Sequence, residues 1–253
     1  MNRRGNAWLP ALGRRPGARL RLFCFPYGGG GTTPFREWQA LLPPAVEVCP
    51  VLLPGREARI GETAFDRLPP LVAALDDALA PGLDLPHAFF GHSVGALIAF
   101  ELARALRRRG ALPPVHLFVS GHPAPQLPEL ERRHDLPEDE LIAELRRFQG
   151  TPEEVLDNPE LMRLVLPTLR RDFAVAETYE HVPEPPLDCP LTAFGGLADP
   201  RAGRSALLPW QEQTHAAFKL RMFPGGHFFL ESHRELVLPA IAGELLSVLE
   251  TAR

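Results

Sequence analysis

Residues 87–98 read HAFFGHSVGALI, and this stretch decides the fold. An apolar run that is typical of a buried strand, His87 to Gly91, passes within one turn into an apolar helical pattern that begins at Val94. Glycines on both flanks of the GxSxG pentapeptide let the strand and the helix pass closely while the serine backbone takes a strained conformation. The pattern predicts that Ser93 is a catalytic nucleophile, and the alternative is a structural turn with an exposed serine.

The same turn predicts where a negatively charged oxygen could be stabilised. The N–H of Val94 lies at a helix N-terminus, where unpaired amides and the helix dipole favour negative charge. A second donor is expected from the glycine run at 28–31, which follows a strand-like segment and lacks the pattern of a phosphate loop. We assign this donor to the N–H of Gly28, with Tyr27 as the next candidate.

Length and composition set the class of protein. The 253 residues suit one α/β domain, and 45% hydrophobic residues can fill its core. A net charge of −4 does not favour nucleic-acid binding, and no apolar run is long enough to cross a bilayer or to form a secretory signal. We therefore expect a soluble, cytoplasmic protein. Cys24, Cys49 and Cys189 lack CxxC spacing and are expected to be buried free thiols.

Apolar runs that alternate with helical patterns predict the architecture. The expected strands are Leu20–Phe25, Val46–Leu53, Ala88–Gly91, Val115–Ser120, Leu191–Gly195 and Phe218–Phe223. This alternation favours an α/β fold, with a mostly parallel central sheet and helices on both faces. We expect a single domain over residues 1–253.

The strand pattern stops between about residues 123 and 190, where a helical insertion is expected. Helical segments are predicted around Glu138–Phe148 and Glu160–Tyr179. A lid in this position would form a pocket wall, because open α/β sheets bind ligands at the carboxyl ends of their strands. We interpret its apolar side chains as packing residues rather than a recognition surface; they are Leu141, Leu145, Phe148, Leu161, Leu164, Val165, Leu169 and Phe173.

A nucleophilic serine needs a base and an acid that orients the base, and in α/β hydrolases both follow the serine with the acid first. Asp199 lies just past a predicted strand, and His227 lies on a glycine turn after the next one. The order predicts Asp199 as the acid and His227 as the base. Asp199 could instead cap the helical segment that follows it. Asp172 and Asp188 are alternative acids, but neither directly follows a strand.

Other histidines fit the place of the base less well. His92 is adjacent to Ser93 in the elbow, so we interpret it as a structural neighbour whose side chain points elsewhere. His122 ends a strand and is expected to line the edge of the site. His215 and His233 are expected at the surface.

Several segments together resemble the stand-alone type II thioesterases of polyketide and nonribosomal peptide synthesis, including antibiotic and siderophore pathways. They are FPYGGGGTTPFREW, LPGREAR, FFGHSVGALIAFELAR, LFVSGHPAP, LPTLRRDFAVAETY and FPGGHFFL, and they extend from about Arg19 to Leu249. The resemblance implies an α/β-hydrolase fold with a helical lid. It implies a triad of Ser93, Asp199 and His227, with oxyanion amides at Gly28 and Val94.

One segment departs from the pattern of that family, which commonly carries FPHAGG where this chain has FPYGGG. Because backbone amides form the oxyanion hole, glycine in place of alanine at 28 keeps the donor and loosens the loop. Tyrosine in place of histidine at 27 is expected to alter the mouth of the pocket. Neither change removes a catalytic group.

The resemblance also implies a substrate and a partner. The substrate is an acyl thioester on the phosphopantetheine arm of an acyl or peptidyl carrier protein, and the role is editing of misprimed or stalled synthases. Hydrolysis through an acyl-serine needs no metal or organic cofactor. Since the chain starts at Met1 without an attached carrier domain, hydrolysis in trans is favoured. We also expect a monomer. Arginines of the lid could contact an acidic carrier, although solvated helix faces explain them equally well; they are Arg146, Arg147, Arg170 and Arg171.

Rival interpretations remain open at this point. The same triad would serve a general carboxylesterase, a medium-chain fatty acyl thioesterase or a chain-releasing thioesterase. A protein of another class, a non-catalytic binding protein on a hydrolase scaffold, would be expected to show a broken triad, whereas Ser93, Asp199 and His227 are all present here.

Overall fold

A computed structural model describes residues 6–129, 131–148 and 150–251. Within these residues six parallel strands form one sheet, in the order β2-β1-β3-β4-β5-β6. The strands are β1 Leu20–Phe25, β2 Val46–Pro50, β3 His87–His92, β4 His116–Ser120, β5 Leu191–Gly196 and β6 Phe218–Phe223. The predicted α/β sheet is confirmed. β2 is shorter than predicted: it ends at Pro50, the N–H of Val51 still donates to the carbonyl of Cys24 at 2.9 Å, and the chain turns at Gly55.

The strand order places the ends of β1 and β3 side by side. β1 lies between β2 and β3, so the order of the strands reverses at β1. In open parallel sheets the crevice for a ligand lies at such a reversal, beyond the carboxyl ends of the strands. Phe25 pairs with Gly91 at this edge, which brings the loop after β1 next to the turn after β3.

Helices cover both faces of the sheet, as predicted. They are α1 Trp38–Leu41, α2 Leu68–Leu79, α3 Val94–Arg108, α4 Glu138–Phe148, α5 Glu153–Leu156, α6 Pro159–Glu177, α7 Arg204–Leu207, α8 Phe229–Ser232 and α9 Arg234–Thr251. Side chains of β1 alternate between the two faces. Phe23 and Phe25 pack with α2 and α3, whereas Leu22 and Cys24 pack with α1 and α9. No helix in the described ranges is both long and apolar enough to span a membrane.

The predicted helical lid lies between β4 and β5 and comprises α4, α5 and α6. It has an apolar cluster of its own, to which Leu141, Leu145 and Leu169 contribute. Asn158 begins α6, because its side chain accepts hydrogen bonds from two backbone N–H groups of the first turn. The prediction that Leu161 and Leu164 are packing residues was wrong, since they are 40% and 54% exposed on α6.

The cysteines are placed as predicted. Cys24 and Cys49 are fully buried and Cys189 is 4% exposed, and all three are free thiols. Burial raises the pKa of each of the three thiols, to about 12 for Cys189. They therefore act as small apolar core residues rather than as reactive groups.

Candidate active site

The turn at Ser93 has the strained geometry that the sequence predicts. Its φ and ψ are 55° and −126°, a region that residues other than glycine rarely adopt. α3 begins at the next residue, and the Ser93 hydroxyl makes no capping hydrogen bond to it. A Cβ atom at Gly91 would overlap the backbone of Gly95, and one at Gly95 would overlap the carbonyl of Phe25. The two glycines therefore permit the close passage of β3, α3 and β1 that exposes the serine.

The predicted acid and base are brought together by loops that follow β5 and β6. His227 Nδ1 lies 2.8 Å from Asp199 Oδ2, and the Asp199 side chain is fully buried. The other oxygen of Asp199 accepts the N–H of Arg201 at 2.9 Å. The alternative that Asp199 caps the next helix is wrong, because Gly203 is the N-cap of α7. The pair instead has the geometry that orients an imidazole and leaves Nε2 to accept a proton.

The charge of Asp199 is maintained against the effect of burial. Burial alone would raise the pKa of this carboxyl. The hydrogen bond to His227 and the electrostatic interaction with it, together with the backbone N–H groups of Arg201 and Ala202, outweigh burial and hold the pKa below its ordinary value. A carboxylate that stays ionised can stabilise an imidazolium during proton transfer.

His92 packs between the nucleophile turn and the base. Its ring lies 5.0 Å from the ring of His227, and its Nδ1 is 2.8 Å from the hydroxyl of Ser120. Burial, followed by the nearby His227, keeps the pKa of His92 well below its ordinary value, so the ring is neutral. Ser120 also accepts the N–H of Ser93 through its carbonyl, at 2.7 Å. The end of β4 therefore supports both residues, which agrees with the interpretation of His92 as a structural neighbour.

The three other histidines considered from the sequence have different surroundings. His122 is half-buried at the end of β4, where burial lowers its pKa to about 4 and its Nδ1 is 2.7 Å from the carbonyl of Pro123. His215 is exposed, as predicted. His233 is partly exposed and lies 2.9 Å from the hydroxyl of Ser232.

The glycine loop after β1 lies beside the Ser93 turn. Gly29 has a φ of 74°, and the N–H of Gly30 donates to the carbonyl of Tyr27 at 2.9 Å. A Cβ atom at Gly28 would meet the Cβ of Asp172 at 3.6 Å, an ordinary contact, so alanine also fits this position. The Tyr27 ring at the start of this loop lies 5.9 Å from the ring of His92, which precedes Ser93, so the loop begins beside the nucleophile turn. The oxyanion role of Gly28 stays a prediction.

Tyr27 connects the glycine loop to the chain that follows His227. Its hydroxyl donates to Glu231 at 2.7 Å, and its ring meets the edge of Phe228 with centroids 5.0 Å apart. Phe228 also contacts His227 and lies against Gly150 of the lid segment. Tyrosine at this position therefore adds a contact at the mouth of the site, as the sequence predicts.

Asp172, considered above as an alternative acid, has a different set of partners. Both of its oxygens accept hydrogen bonds from Arg56, at 2.8 Å each, and Oδ2 also accepts the N–H of Gly29 at 2.7 Å. Asp188 is exposed. Neither residue is the partner of His227, so both alternatives are wrong. The sequence alone did not predict that Asp172 and Arg56 meet, although each lies in a segment that carries the family resemblance.

A cleft of about 730 Å³ lies between the glycine loop and the lid. Its wall includes Gly28 to Gly31, Leu169 of α6 and Arg234 of α9. Ser93 and His227 lie outside its lining, and Phe228 lies between His227 and the lid. The cleft therefore reaches Gly28, one of the two predicted oxyanion donors.

The arginines of the lid have acidic or carbonyl partners within the chain. Arg146 binds Asp157, Arg170 binds two backbone carbonyls and Arg171 binds Asp66. Arg147 binds Glu144 and keeps 78% of its side chain exposed. Each of these four arginines therefore has a partner within the chain, and the predicted contact with a carrier protein stays a prediction.

The parallel sheet, the Ser93 elbow and the Asp199–His227 pair are features of an α/β hydrolase. A model of the thioesterase domain family matches residues 20–245, and the chain belongs to this family. It is therefore an enzyme that hydrolyses thioester bonds, as the resemblance implies.

Several known proteins similar to this chain are thioesterases or biosynthesis proteins. Gramicidin S biosynthesis protein GrsT of Aneurinibacillus migulanus is 45% identical over 92% of this chain and 91% of its own length. Thioesterase PikA5 of Streptomyces venezuelae is 38% identical over 94% of this chain and 85% of its own. The solved structure of RedJ, a thioesterase from the prodiginine pathway of Streptomyces coelicolor, has a TM-score of 0.84 at 44% identity, and covers 90% of this chain and 86% of its own.

Proposed function

We propose that this thioesterase removes acyl groups from the phosphopantetheine arm of acyl or peptidyl carrier proteins, and so edits misprimed or stalled polyketide or nonribosomal peptide synthases. The observation that carries the proposal is the 45% identity to GrsT over 92% of the chain. The cleft beside the glycine loop supports it, since a thin, flexible arm needs a passage to the nucleophile. We further propose that the enzyme acts in the cytoplasm as a monomer of one domain.

The proposed mechanism assigns one task to each predicted site residue. His227 takes the proton of the Ser93 hydroxyl, and Ser93 Oγ attacks the thioester carbonyl. The N–H groups of Gly28 and Val94 stabilise the oxyanion. The C–S bond breaks, and His227 gives the proton to the leaving thiol. Asp199 holds the imidazole and stabilises its charged form at 2.8 Å.

Deacylation repeats the same proton transfers with water. His227 takes a proton from a water molecule, and the resulting hydroxide attacks the acyl-serine carbonyl. The oxyanion forms at the same amides. Collapse of this intermediate releases the free acid, and His227 returns the proton to Ser93 Oγ.

The lid would control access along this route. Phe228 lies between His227 and Gly150, so a shift of the lid would open the way from the cleft to the nucleophile. Arg147, with 78% of its side chain exposed, is available for an acidic carrier surface. Carrier binding at the lid would then place the arm at the mouth of the cleft.

The test compares thioester and ester hydrolysis by the wild type and by Ser93→Ala. We expect higher kcat/KM for an acylated carrier protein than for the same acyl group on an aryl ester, and a kcat about 10⁴-fold to 10⁶-fold lower in Ser93→Ala. Ser205→Ala, which changes an exposed serine of α7, is the matched control and should keep wild-type kcat. Equal rates of acyl-carrier hydrolysis by the wild type and by Ser93→Ala would contradict the proposed mechanism. A preference for aryl esters would contradict the editing role.

A further inference from the structure

The shape of the glycine loop depends on side chains from other parts of the chain. Gly29 has a φ of 74°, and its N–H donates to Asp172 Oδ2 at 2.7 Å. The carbonyl of Gly30 accepts a hydrogen bond from Arg56 Nη1 at 3.0 Å. A donor and an acceptor of the loop are therefore held by two charged side chains, one from the loop after β2 and one from α6.

Arg56 and Asp172 form a bidentate ion pair beneath this loop. Nη1 and Nη2 of Arg56 lie 2.8 Å from Oδ2 and Oδ1 of Asp172, and the two side chains are 6% and 7% exposed. Arg56 Nε donates to the carbonyl of Pro54 at 3.2 Å. Parallel, charge-assisted hydrogen bonds of this kind fix both partners in orientation as well as in distance. We call the pair the Arg56–Asp172 clamp.

The residue after Arg56 extends the same support. Glu57 accepts hydrogen bonds from both the N–H and the hydroxyl of Thr32, at 2.8 and 2.7 Å. Burial would raise the pKa of this carboxyl, but the hydrogen bonds from Thr32 and Thr33 outweigh it and lower the pKa. The segment Pro54–Glu57 therefore holds the glycine loop on both sides of Gly31.

The lid helix α6 also contacts the glycine loop and the segment that supports it. Besides Asp172, it contributes Thr168, whose hydroxyl donates to the carbonyl of Gly55 at 2.9 Å. Leu169 packs so closely on the loop that a Cβ atom at Gly29 would lie 2.5 Å from its Cδ2. One face of the lid helix therefore packs against the loop that supplies the predicted oxyanion donor.

The Arg56–Asp172 clamp also neutralises a negative charge beside the predicted oxyanion hole. A Cβ atom added at Gly28 would lie 3.6 Å from the Cβ of Asp172, and the Asp172 carboxylate accepts the N–H of Gly29, so this charge lies next to the predicted oxyanion donor. An unpaired carboxylate there would oppose the developing negative charge, because electrostatic effects are strong in a site that excludes water. Arg56 neutralises it through the two hydrogen bonds described above.

We propose that Arg56 and Asp172 are positioning residues that hold the Gly28–Gly31 loop in its oxyanion-binding shape and make the lid helix part of the support of the hole. The inference rests on the proposed function, since it takes the N–H of Gly28 as an oxyanion donor. It assigns a task to two segments of the family resemblance that the triad leaves unexplained, LPGREAR and LPTLRRDFAVAETY.

The experiment measures kcat and KM for an acyl-pantetheine thioester with Arg56→Gln, Asp172→Asn and the double variant. We expect kcat to fall about 10²-fold in Arg56→Gln, which misplaces one donor and leaves the carboxylate unpaired. A fall of about 10-fold is expected in Asp172→Asn, because the remaining arginine charge favours the oxyanion. The double variant should be more active than Arg56→Gln, and KM should change less than about three-fold in all of them. Arg56→Lys should not restore kcat, because lysine cannot bind both oxygens.

Arg21→Gln provides a matched control in a second buried ion pair. Arg21 Nε lies 2.9 Å from Glu47 Oε2 near the start of β1, whereas the glycine loop follows the carboxyl end of this strand. This variant should lower the unfolding temperature as Arg56→Gln does, while kcat per folded enzyme, with folding measured by circular dichroism, stays within about two-fold of wild type.

Two results would overturn the clamp. One is a kcat of Arg56→Gln, per folded enzyme, no lower than that of Arg21→Gln. The other is a double variant whose loss is the product of the two single losses. Ser93→Ala, assayed in parallel, separates this inference from the proposed function. If Ser93→Ala is inactive and Arg56→Gln is fully active, only the clamp is contradicted. If Ser93→Ala is active, the proposed function is contradicted.

Discussion

The two sides of the Ser93 elbow are held in place in different ways. On the base side, Asp199, His227 and Ser120 each lie at or just beyond the end of a strand, and short contacts join them to one another or to the elbow. On the oxyanion side, the glycine loop is held by Arg56 and by Asp172 of the lid helix. The base side is thus built on the sheet, whereas the oxyanion side is built partly on the lid.

This difference has a consequence for how the enzyme could respond to a carrier protein. Parallel strands buried on both faces form the most stable part of such folds, while surface helices open at lower cost in free energy. A displacement of α6 would therefore reach the glycine loop through Asp172 and Leu169 before it reached the Asp199–His227 pair. In the proposed mechanism the base side moves the proton, and the oxyanion side is the part that the lid helix α6 holds.

The largest expected effect is on the base side, from Asp199→Asn. The amide would favour the wrong tautomer of His227 and would not stabilise its charged form, so kcat should fall about 10⁴-fold with little change in KM. Steady-state hydrolysis of an acyl-pantetheine thioester measures this. The matched control is Asp188→Asn, which changes an exposed carboxylate and should leave kcat unchanged. A loss of less than about 10-fold in Asp199→Asn would mean that the sheet-built pair does not carry the chemistry.

A smaller effect is expected on the oxyanion side from Gly29→Ala. The left-handed φ of 74° and the contact with Leu169 both oppose a Cβ atom, so the loop must shift. We expect kcat to fall about 10-fold to 100-fold, since one oxyanion donor is misplaced. Gly17→Ala is the control: its φ is 80°, but an added Cβ meets nothing within 4 Å. Equal kcat in the two variants would show that distortion of the glycine loop does not affect catalysis and would contradict the role of the loop.

The sequence predicted the base side better than the oxyanion side, for a physical reason. β1 is an apolar run that is buried on both faces, whereas β6 is an edge strand with alternating burial, and both have the predicted bounds. Asp199 and His227 lie on the loops just after two predicted strands, so local pattern indicated that they would meet. Arg56 and Asp172 are 116 residues apart, and the sequence around each residue does not indicate which distant charged residue forms the ion pair with it. The exposure of Leu161 and Leu164 was missed because helical spacing alone does not show which face the fold covers.

The base side should also make folding stability depend on pH. His92 is fully buried, and its pKa in the folded chain lies well below the ordinary value of 6.5. When the pH falls below about 6.5, the unfolded chain binds a proton at this residue and the folded chain does not, so the free energy of unfolding decreases. His116, with a pKa lowered to about 4 mainly by burial, acts in the same direction. The loss should continue between about pH 6.5 and pH 4, at up to about 1.4 kcal/mol per pH unit for each such histidine.

His92→Gln tests this assignment by urea unfolding at several pH values between about 7 and 5. The titratable groups that face His92 are His227, Asp199 and His122, and they remain in the variant. We expect the slope of the unfolding free energy against pH to decrease by about 1 kcal/mol per unit, whatever the absolute stability of the variant. His215→Gln, which changes an exposed histidine, should keep the wild-type slope. A wild-type slope in His92→Gln would show that His92 makes no pH-dependent contribution to stability.

The smallest expected effect comes from the contact that joins the two sides. Tyr27→Phe removes the hydrogen bond from the glycine loop to Glu231, which follows His227, and should lower kcat by about two-fold to three-fold and stability by about 1 kcal/mol or less. Tyr179→Phe is the matched control. It removes a 2.8 Å hydrogen bond to Glu101, which is similar in length to the 2.7 Å bond of Tyr27 but lies outside the site. Thermal unfolding and kcat are measured for both. If the two variants lose stability equally and only Tyr27→Phe loses kcat, the two sides are coupled through this tyrosine; equal kcat values would mean that sheet and lid support the site independently.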